Sequence, residues 1–230
     1  MRLDRFVCKS TDFTKNEALQ LIHAGEVLVN DEAIINEATQ VHENNTIILH
    51  GNRLKTRAFR YLLMHKPINT ICSNIDEKSY PSLFNLLDVA RTSELHIAGR
   101  LDADTSGLVL MTDDGRWTFN IISPSKNCKK VYRVGLSREI SGDVVEQFKE
   151  GVQLQGETKL TLPAELTIIT PKEVLLSLTE GKFHQVKRMF AAVGNKVISL
   201  HREKIGAISL DVDLGEWRHL TLDEVKALRS

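Results

Sequence analysis

The sequence predicts an α+β protein: a small N-terminal domain of helices and short strands, then a larger domain with a mixed, mainly antiparallel β-sheet flanked by helices. Two observations support this class. Helix-like and strand-like segments follow one another without the regular period of βαβ units, and several neighbouring strands are close enough to pair as hairpins. Because a polar, basic stretch separates the two parts, we predict domains at 1–56 and 61–230, joined by a basic linker at 57–60.

Residues 1–56 are predicted to form one compact unit. Thr14 is suited to cap a helix over Lys15–His23, because its hydroxyl accepts a hydrogen bond from a free helical N–H group. Gly25 is suited to end that helix, since glycine tolerates a left-handed backbone. Short strands are then predicted around Val27–Val29, around Ile34 after a turn at Asn30–Glu32, and over Thr46–His50.

The larger domain contains both types of element. Its strands are predicted over Arg60–Met64, Leu108–Met111, Val131–Leu136, Leu166–Ile169 and Val174–Leu178, the last two as a hairpin. Its helices are predicted after Pro81, from Asp113 or Asp114 to Ile122, over Asp143–Glu150, and over His184–Val193. A final helix is predicted from the capping box at Thr221–Glu224.

The composition excludes several classes of protein. With 42% hydrophobic residues, 30 Lys+Arg and 30 Asp+Glu, the chain is neither intrinsically disordered nor strongly charged. No window approaches the ~18 apolar residues of a membrane span, and no apolar stretch follows Met1–Arg5, so neither a membrane anchor nor a secretory signal is expected. The three cysteines form no C-x-x-C pair, which predicts a reducing cytoplasm without disulfides.

The basic residues are segregated although the net charge is zero. No acidic residue occurs from Asn44 to Ile75 or from Gly115 to Ser137, whereas both stretches contain several lysines and arginines. Such segregation predicts a basic face that binds nucleic acid. The alternative is that these charges are scattered over solvated surface.

The most informative motif is the loop Gly99–Leu108. Two glycines bracket short polar residues immediately before a buried strand, and a tight loop of this kind holds side chains rigidly at a cleft. From spacing alone, Asp102 or Asp104 could be a nucleophile, a general base or the acceptor of an Asx turn.

The loop Gly99–Leu108 resembles the catalytic loop of pseudouridine synthases, with the pattern Gly-Arg-Leu-Asp-x-x-(Thr/Ser)-(Ser/Thr)-Gly-Leu. Later segments resemble the ribosomal small-subunit pseudouridine synthase A family; they are Glu180–Met189, Leu200–Arg202, Ile205–Gly206 and Gly215–Leu220. Residues 1–56 resemble an S4 RNA-binding domain through Arg2–Phe6 and Leu21–Asn30. Essentially the whole chain is covered.

The resemblance implies an enzyme that isomerises the uridine at position 516 of 16S rRNA, with neither cofactor nor metal. It implies Asp102 as the nucleophile, Tyr132 as the residue that stacks on the uracil, and Lys187 as the basic residue beside the aspartate. Arg100 resembles the residue that replaces the flipped base in the stack, and Leu200 resembles an apolar residue at the pocket. The catalytic cleft is expected between the two halves of the sheet.

Lys66 and Arg188 are two further candidates for substrate binding. Lys66 lies in the first family motif, His65–Asn69, where Asn69 replaces the usual glycine; asparagine also tolerates a left-handed backbone. Asp104 is interpreted as loop structure. His184 is interpreted as a polar contact at the start of a helix.

The helix after His184 suggests which of its two basic residues, Lys187 or Arg188, faces the site and which faces RNA. Val186, Met189, Phe190 and Val193 form its apolar face. At about 100° per residue, Lys187 flanks that face and can reach inward, whereas Arg188 points away from it and can reach RNA. A cation beside a carboxylate favours its ionised form, which a nucleophilic aspartate requires.

The remaining RNA contacts are assigned to basic residues outside the cleft. They are Lys15, Arg53, Lys55, Arg57, Lys126, Lys129 and Lys130. The expected partner is small-subunit ribosomal RNA in a ribonucleoprotein assembly intermediate, bound by a cytoplasmic monomer with no membrane association. Two alternatives remain: a pseudouridine synthase for a large-subunit rRNA hairpin, and a non-catalytic rRNA-binding assembly factor. The presence of Asp102, Tyr132 and Lys187 argues against the latter.

Overall fold

The structure, a computed structural model, describes residues 1–42, 44–77 and 79–229. It divides into two compact units, Met1–Ala58 and Phe59–Ser230, and the division falls within the predicted linker at 57–60. In these described ranges, no helix combines the length and the apolar character needed to cross a bilayer.

The N-terminal unit packs two helices against a four-stranded antiparallel sheet. The helices are α1 (Leu3–Ser10) and α2 (Lys15–His23). The strands are β1 (Val27–Val29), β2 (Glu32–Ala33), β3 (Ile47–Leu49) and β4 (Asn52–Arg53), in the order β2-β1-β3-β4. Leu3 and Val7 of α1 and Ile22 of α2 share one buried core with Val27 and Ile47 of the strands.

Helix α2 has the termini that its sequence predicts. The Thr14 hydroxyl accepts a hydrogen bond from the Glu17 backbone N–H, and the Glu17 carboxylate accepts one from the Thr14 N–H in return. Gly25 has a φ of 72°, which ends the helix. Helix α1 was not predicted, because Arg2 provides no side-chain cap; burial of Leu3 and Val7 stabilises the helix instead.

The larger unit contains one nine-stranded sheet. Its strands are β5 (Tyr61–Lys66), β6 (His96–Ile97), β7 (Ser106–Thr112), β8 (Lys130–Leu136), β9 (Glu165–Thr170), β10 (Glu173–Leu178), β11 (Val197–Ile205), β12 (Ile208–Ser209) and β13 (Trp217–His219). The main order is β13-β5-β7-β11-β8-β10-β9, with β12 beside β11 and β6 beside β7. β7 and β11 are parallel, and the other described pairs are antiparallel. The predicted α+β class and mainly antiparallel sheet are confirmed.

The helices of the larger unit are short. They are α3 (Gly115–Ile122), α4 (Asp143–Glu150), α5 (Gln185–Ala192) and α6 (Leu222–Ala227). Asp114 caps α3, and Thr221 forms the predicted capping box of α6. The helix predicted after Pro81 is instead a 3-10 turn at Leu83–Leu86 that Ser82 caps.

Strand β11 was not predicted from the sequence, because its polar residues hide the alternation of a half-buried strand. Four consecutive charged or imidazole side chains, from His201 to Lys204, interrupt its apolar pattern. In the fold, β11 pairs with β7 on one side and with β8 on the other. Pairing on both sides therefore determines this strand, and its own propensity does not.

The sheet separates two buried cores. Along β7, Leu108 and Leu110 face one core together with Trp117 of α3. Val109 and Met111 alternate with them and face the other core. Tyr132 and Leu200, two of the predicted site residues, belong to that second core and so mark the face on which the candidate site lies.

Candidate active site

The loop that carries Asp102 connects β6 to β7. Gly99, at its start, has a φ of 89°, a conformation that glycine adopts without strain. The Thr105 N–H donates to the Asp102 carbonyl across 3.1 Å, which closes a tight turn around the aspartate. At the other end, a Cβ on Gly107 would lie 2.3 Å from the Arg202 carbonyl oxygen, so only glycine permits the close approach of β7 and β11.

Lys187 of α5 contacts two carboxylates of this loop. Its Nζ lies 2.9 Å from Asp102 Oδ2 and 2.6 Å from Asp104 Oδ1. Burial acts to lower the pKa of Lys187, but the hydrogen bonds to Asp104 and Asp102 outweigh it, and the net pKa is raised. The hydrogen bond from Lys187 lowers the pKa of Asp104. Asp104 thus does more than shape the loop: it is a second partner of the lysine.

His184 lies beside Asp102, which the sequence did not indicate. It precedes α5 in a left-handed conformation with a φ of 48°. Its Nε2 lies 3.5 Å from Asp102 Oδ2, and the side chain is 41% exposed. His184 therefore belongs to the polar surroundings of the aspartate, in addition to marking the start of the helix.

Tyr132 contacts a buried arginine. Tyr132 is 9% exposed, and Arg202 is 2% exposed. The Arg202 guanidinium donates to the carbonyls of Leu108 and Gly99, each across 2.7 Å, and to Tyr132 Oη across 3.4 Å. Arg202 therefore joins β11, the start of the loop and the tyrosine. Sequence reasoning missed this role, because the distant backbone carbonyls it contacts leave no local pattern.

Asp102, Tyr132, His184 and Lys187 line one cleft of the larger unit, with a volume of about 100 Å³. Its lining includes Arg100, Asp102, Tyr132, Lys187 and Leu200, the predicted catalytic residues and two of the predicted substrate contacts. It also includes Leu101, Thr105, Leu178, Glu180, Gly181, Lys182, His184, Gln185 and Val186. The loop and α5 thus bring together residues that are far apart in the chain.

Lys66 is a correction to the predicted substrate contacts. It is 0% exposed. Its ammonium group donates to the backbone carbonyls of Pro67, Ala103 and Thr105, at 3.0, 3.4 and 2.8 Å. Burial lowers its pKa. Lys66 therefore supports the loop that carries Asp102 from inside the protein and does not present its charge to RNA. Asn69, in the same motif, has the expected left-handed backbone, with a φ of 62°.

Lys130 is a second correction. It is 5% exposed and donates to the carbonyls of Ile121 and Thr179, at 2.5 and 3.4 Å. Burial lowers its pKa as well. A lysine so enclosed cannot contact a phosphate, so the predicted RNA contact at this position is wrong.

Two of the predicted basic contacts are engaged within the protein. Arg57 donates to the carbonyls of Thr11 and Cys8, so it ties the end of the N-terminal unit to that unit's own backbone. Arg188 contacts Glu157 and donates to the carbonyls of Gln155 and Phe183. Because these contacts occupy guanidinium N–H groups of Arg57 and Arg188, fewer donors remain for hydrogen bonds to RNA phosphates.

The other predicted RNA contacts lie on the surface. Lys15, Arg53, Lys55, Lys126 and Lys129 are exposed. Lys129 forms an ion pair with Glu165 across 2.7 Å, which offsets part of its charge. Among the described side chains, no group of three or more His, Cys, Asp or Glu has the arrangement of a metal site.

The sequence and the fold were compared with those of known proteins. The profile of the RNA pseudouridylate synthases matches residues 60–192. Over 230 residues, the chain is 48% identical to the ribosomal small subunit pseudouridine synthase A of Vibrio cholerae, with 99% of each covered. It is 45% identical over 231 residues to the protein of that name from Escherichia coli, with coverage of 99% and 100%. A crystal structure described as a pseudouridylate synthase has a TM-score of 0.73 at 39% identity, with 99% of both chains covered.

Proposed function

The chain belongs to the RNA pseudouridylate synthase family, and we propose that it converts the uridine at position 516 of 16S rRNA to pseudouridine, with Asp102 as the nucleophile. Its similarity to small-subunit pseudouridine synthases over nearly the full length identifies an rRNA pseudouridine synthase. The contact between Lys187 Nζ and Asp102 Oδ2, 2.9 Å long and within the cleft, is the observation that carries the proposed mechanism.

The reaction moves the glycosidic bond of uridine from N1 to C5. The N1–C1′ bond breaks, the base turns, a C5–C1′ bond forms, N1 gains a proton, and C5 releases its hydrogen to solvent. A positioned carboxylate that attacks or stabilises the anomeric carbon serves this chemistry, as in retaining glycosidases. The Asp102 side chain is 33% exposed in the cleft, so a substrate can reach it.

Lys187 supplies the charge that this carboxylate needs. With its pKa raised, Lys187 remains protonated at neutral pH and favours anionic carboxylates beside it. A uracil bound in the cleft would exclude water from this pair, which would strengthen the attraction. Lys187 thus places a cation beside the Asp102 carboxylate in a cleft that Tyr132 and Leu200 also line.

The other cleft residues are assigned to binding of the flipped uridine. Tyr132 stacks on the uracil, and Arg202 holds its hydroxyl in place. The target base must leave its stack before reaction, and the exposed Arg100 at the cleft takes its place in the RNA. Leu200 provides an apolar wall.

The N-terminal unit is proposed to act as the S4 RNA-binding domain. Three exposed basic residues support this role. Lys15 lies at the start of α2, and Arg53 and Lys55 lie near the C-terminal end of the N-terminal unit. Phosphate contacts of this type position the protein on RNA without reading its sequence. The proposed substrate is an assembly intermediate of the small subunit, bound by a monomer in the cytoplasm.

The decisive experiment maps pseudouridine in ribosomal RNA from cells with and without the protein. Loss of the signal at position 516 alone is the expected result. Loss at a large-subunit hairpin would support the alternative target. No loss anywhere, combined with defective subunit assembly, would support the non-catalytic assembly factor.

A further inference from the structure

We propose that Phe183 is a stacking platform for a nucleotide base that flanks the target uridine. This inference rests on the proposed function and adds a substrate contact to the same site. Phe183 is 77% exposed, more than any other aromatic side chain in the described part of the chain. It immediately precedes His184, which lines the cleft.

One face of the Phe183 ring is covered within the protein. The rings of Phe183 and His184 are stacked, with centroids 3.8 Å apart and an angle of 22° between their planes. His184 Nε2 in turn lies 3.5 Å from Asp102 Oδ2. Phe183 is therefore one ring farther from the nucleophile than His184. Because its exposure is so high, its other face is open to solvent.

The backbone beneath this ring is fixed in advance. Arg188 Nη1 donates to the Phe183 carbonyl across 3.1 Å. The same guanidinium is held by Glu157 at 3.2 Å and by the Gln155 carbonyl at 2.7 Å. An exposed apolar ring on a fixed backbone loses little conformational freedom when a ligand stacks on it.

A planar base is the ligand that this arrangement suits. Extrusion of the target uridine distorts the strand around it, so a base that flanks it can present a π face to the protein. Exposed aromatic rings bind such bases in many single-stranded nucleic-acid sites, and they tolerate any sequence because every base has a π face. Phe183 is therefore expected to add affinity for the RNA without adding sequence specificity.

Steady-state kinetics of the full-length protein test the inference. The probe is a 16S rRNA fragment that contains position 516 and carries 5-tritiated uridine, whose tritium is released when C5 bonds to C1′. We expect F183A to raise KM by about 5- to 150-fold, as expected for loss of one base–aromatic stack, with kcat within about twofold of the unchanged protein. F183Y should retain the original KM, and F183L should resemble F183A.

F119A is the matched control. Phe119 is 54% exposed, belongs to the same unit, and lies on α3, which packs on the opposite face of the sheet through Trp117 and Ile121. The KM of the F119A variant should equal that of the unchanged protein. An unchanged KM for F183A would overturn the inference, as would full activity of F183L, which would indicate an apolar contact without stacking. If F183A leaves KM unchanged but weakens binding of the enzyme to another protein, the exposed ring would serve a protein partner instead of RNA.

A fluorescence measurement provides a second readout. In F183W, stacking on a base should quench the new indole emission, with a saturation that matches the RNA affinity; F119W should show no quenching. Absence of quenching in an F183W protein that still binds RNA would overturn the inference. If the unchanged protein releases no tritium from the fragment, the proposed function fails; if it does and Phe183 variants behave like it, only this inference fails.

Discussion

The ammonium group of Lys187 donates a hydrogen bond to the carboxylate of Asp102 across 2.9 Å, which joins helix α5 to the loop before β7. The two residues are 85 positions apart in the chain. Asp104 shares the same ammonium at 2.6 Å but is more exposed, with 70% of its side chain accessible against 33% for Asp102. The more enclosed carboxylate, Asp102, is the one that we propose as the nucleophile, and Asp104 is a second, outer partner of the lysine.

Replacement of Asp102 by asparagine is expected to abolish isomerisation and to leave RNA binding intact. D102N keeps the size and polarity of the side chain but removes the charge and with it the proposed nucleophile. Tritium release from 5-tritiated uridine and RNA binding should be measured on the same samples. Substantial turnover by D102N would show that another group carries the chemistry.

Lys187 and Arg188 are neighbours with different partners, so their variants should differ. K187M removes the charged hydrogen bond to Asp102 and is expected to lower kcat at least about tenfold more than R188M, because such a bond contributes about 1.5–3 kcal/mol and each ~1.4 kcal/mol changes a rate about tenfold. R188M should act mainly on KM, because Arg188 contacts Glu157 and the Phe183 carbonyl. K187R serves as the control that keeps the charge. Equal losses of kcat in K187M and R188M would contradict this assignment.

Lys66 is expected to contribute to stability and not directly to RNA affinity. K66M leaves the carbonyls of Pro67, Ala103 and Thr105 without their ammonium donor, which should cost about 2–4 kcal/mol in the free energy of unfolding. Urea denaturation measures the change. K129M removes an exposed lysine and should cost no more than about 0.5 kcal/mol. A fully stable K66M protein with weakened RNA binding would restore the original assignment of Lys66 to the substrate.

Lys187 could be placed from the sequence, whereas the burial of Lys66 and Lys130 could not. The loop around Asp102 has a recognisable pattern, and helical periodicity places Lys187 on the inward side of α5. Burial of Lys66 and Lys130 has no local signature, because each also donates to distant carbonyls: Lys66 to Thr105, 39 residues away, and Lys130 to Thr179, 49 residues away. The contacts of Arg202 are missed for the same reason: Leu108 and Gly99 lie 94 and 103 residues away in the sequence.

A pH-dependent contribution to stability is expected at the C-terminal helix. Hydrogen bonds from Arg218 lower the pKa of Glu224 from 4.5 to about 2. A lowered folded-state pKa contributes stability that is full above the unfolded value and is lost as the pH falls through the folded value. The difference in unfolding free energy between the unchanged protein and E224Q should therefore be constant above pH 4.5 and vanish at about pH 2. A difference that does not depend on pH would contradict the ion pair.

The N-terminal unit is expected to bind RNA through phosphates, although the chain carries no net charge. Each neutralised phosphate releases counterions, so affinity should fall with salt at a log–log slope of about −0.7 per single-strand contact. Lys15, Arg53 and Lys55 are exposed, and K15A/R53A/K55A should therefore reduce the magnitude of that slope by about 2. Because none of the residues assigned to chemistry lies in this unit, the triple variant should raise KM and leave kcat at saturating RNA unchanged.

A second triple variant, K149A/K172A/K196A, controls for the loss of positive charge alone. It changes three exposed lysines of the larger unit that are assigned no RNA contact. This second triple variant removes the same number of charges, so it should alter the slope far less if the contacts are local to the N-terminal unit. Equal changes in the two triple variants would mean that only the overall charge matters. Removal of residues 1–56 should likewise raise KM strongly and spare turnover at saturating RNA. An unchanged KM after this removal would show that the N-terminal unit does not recruit the substrate.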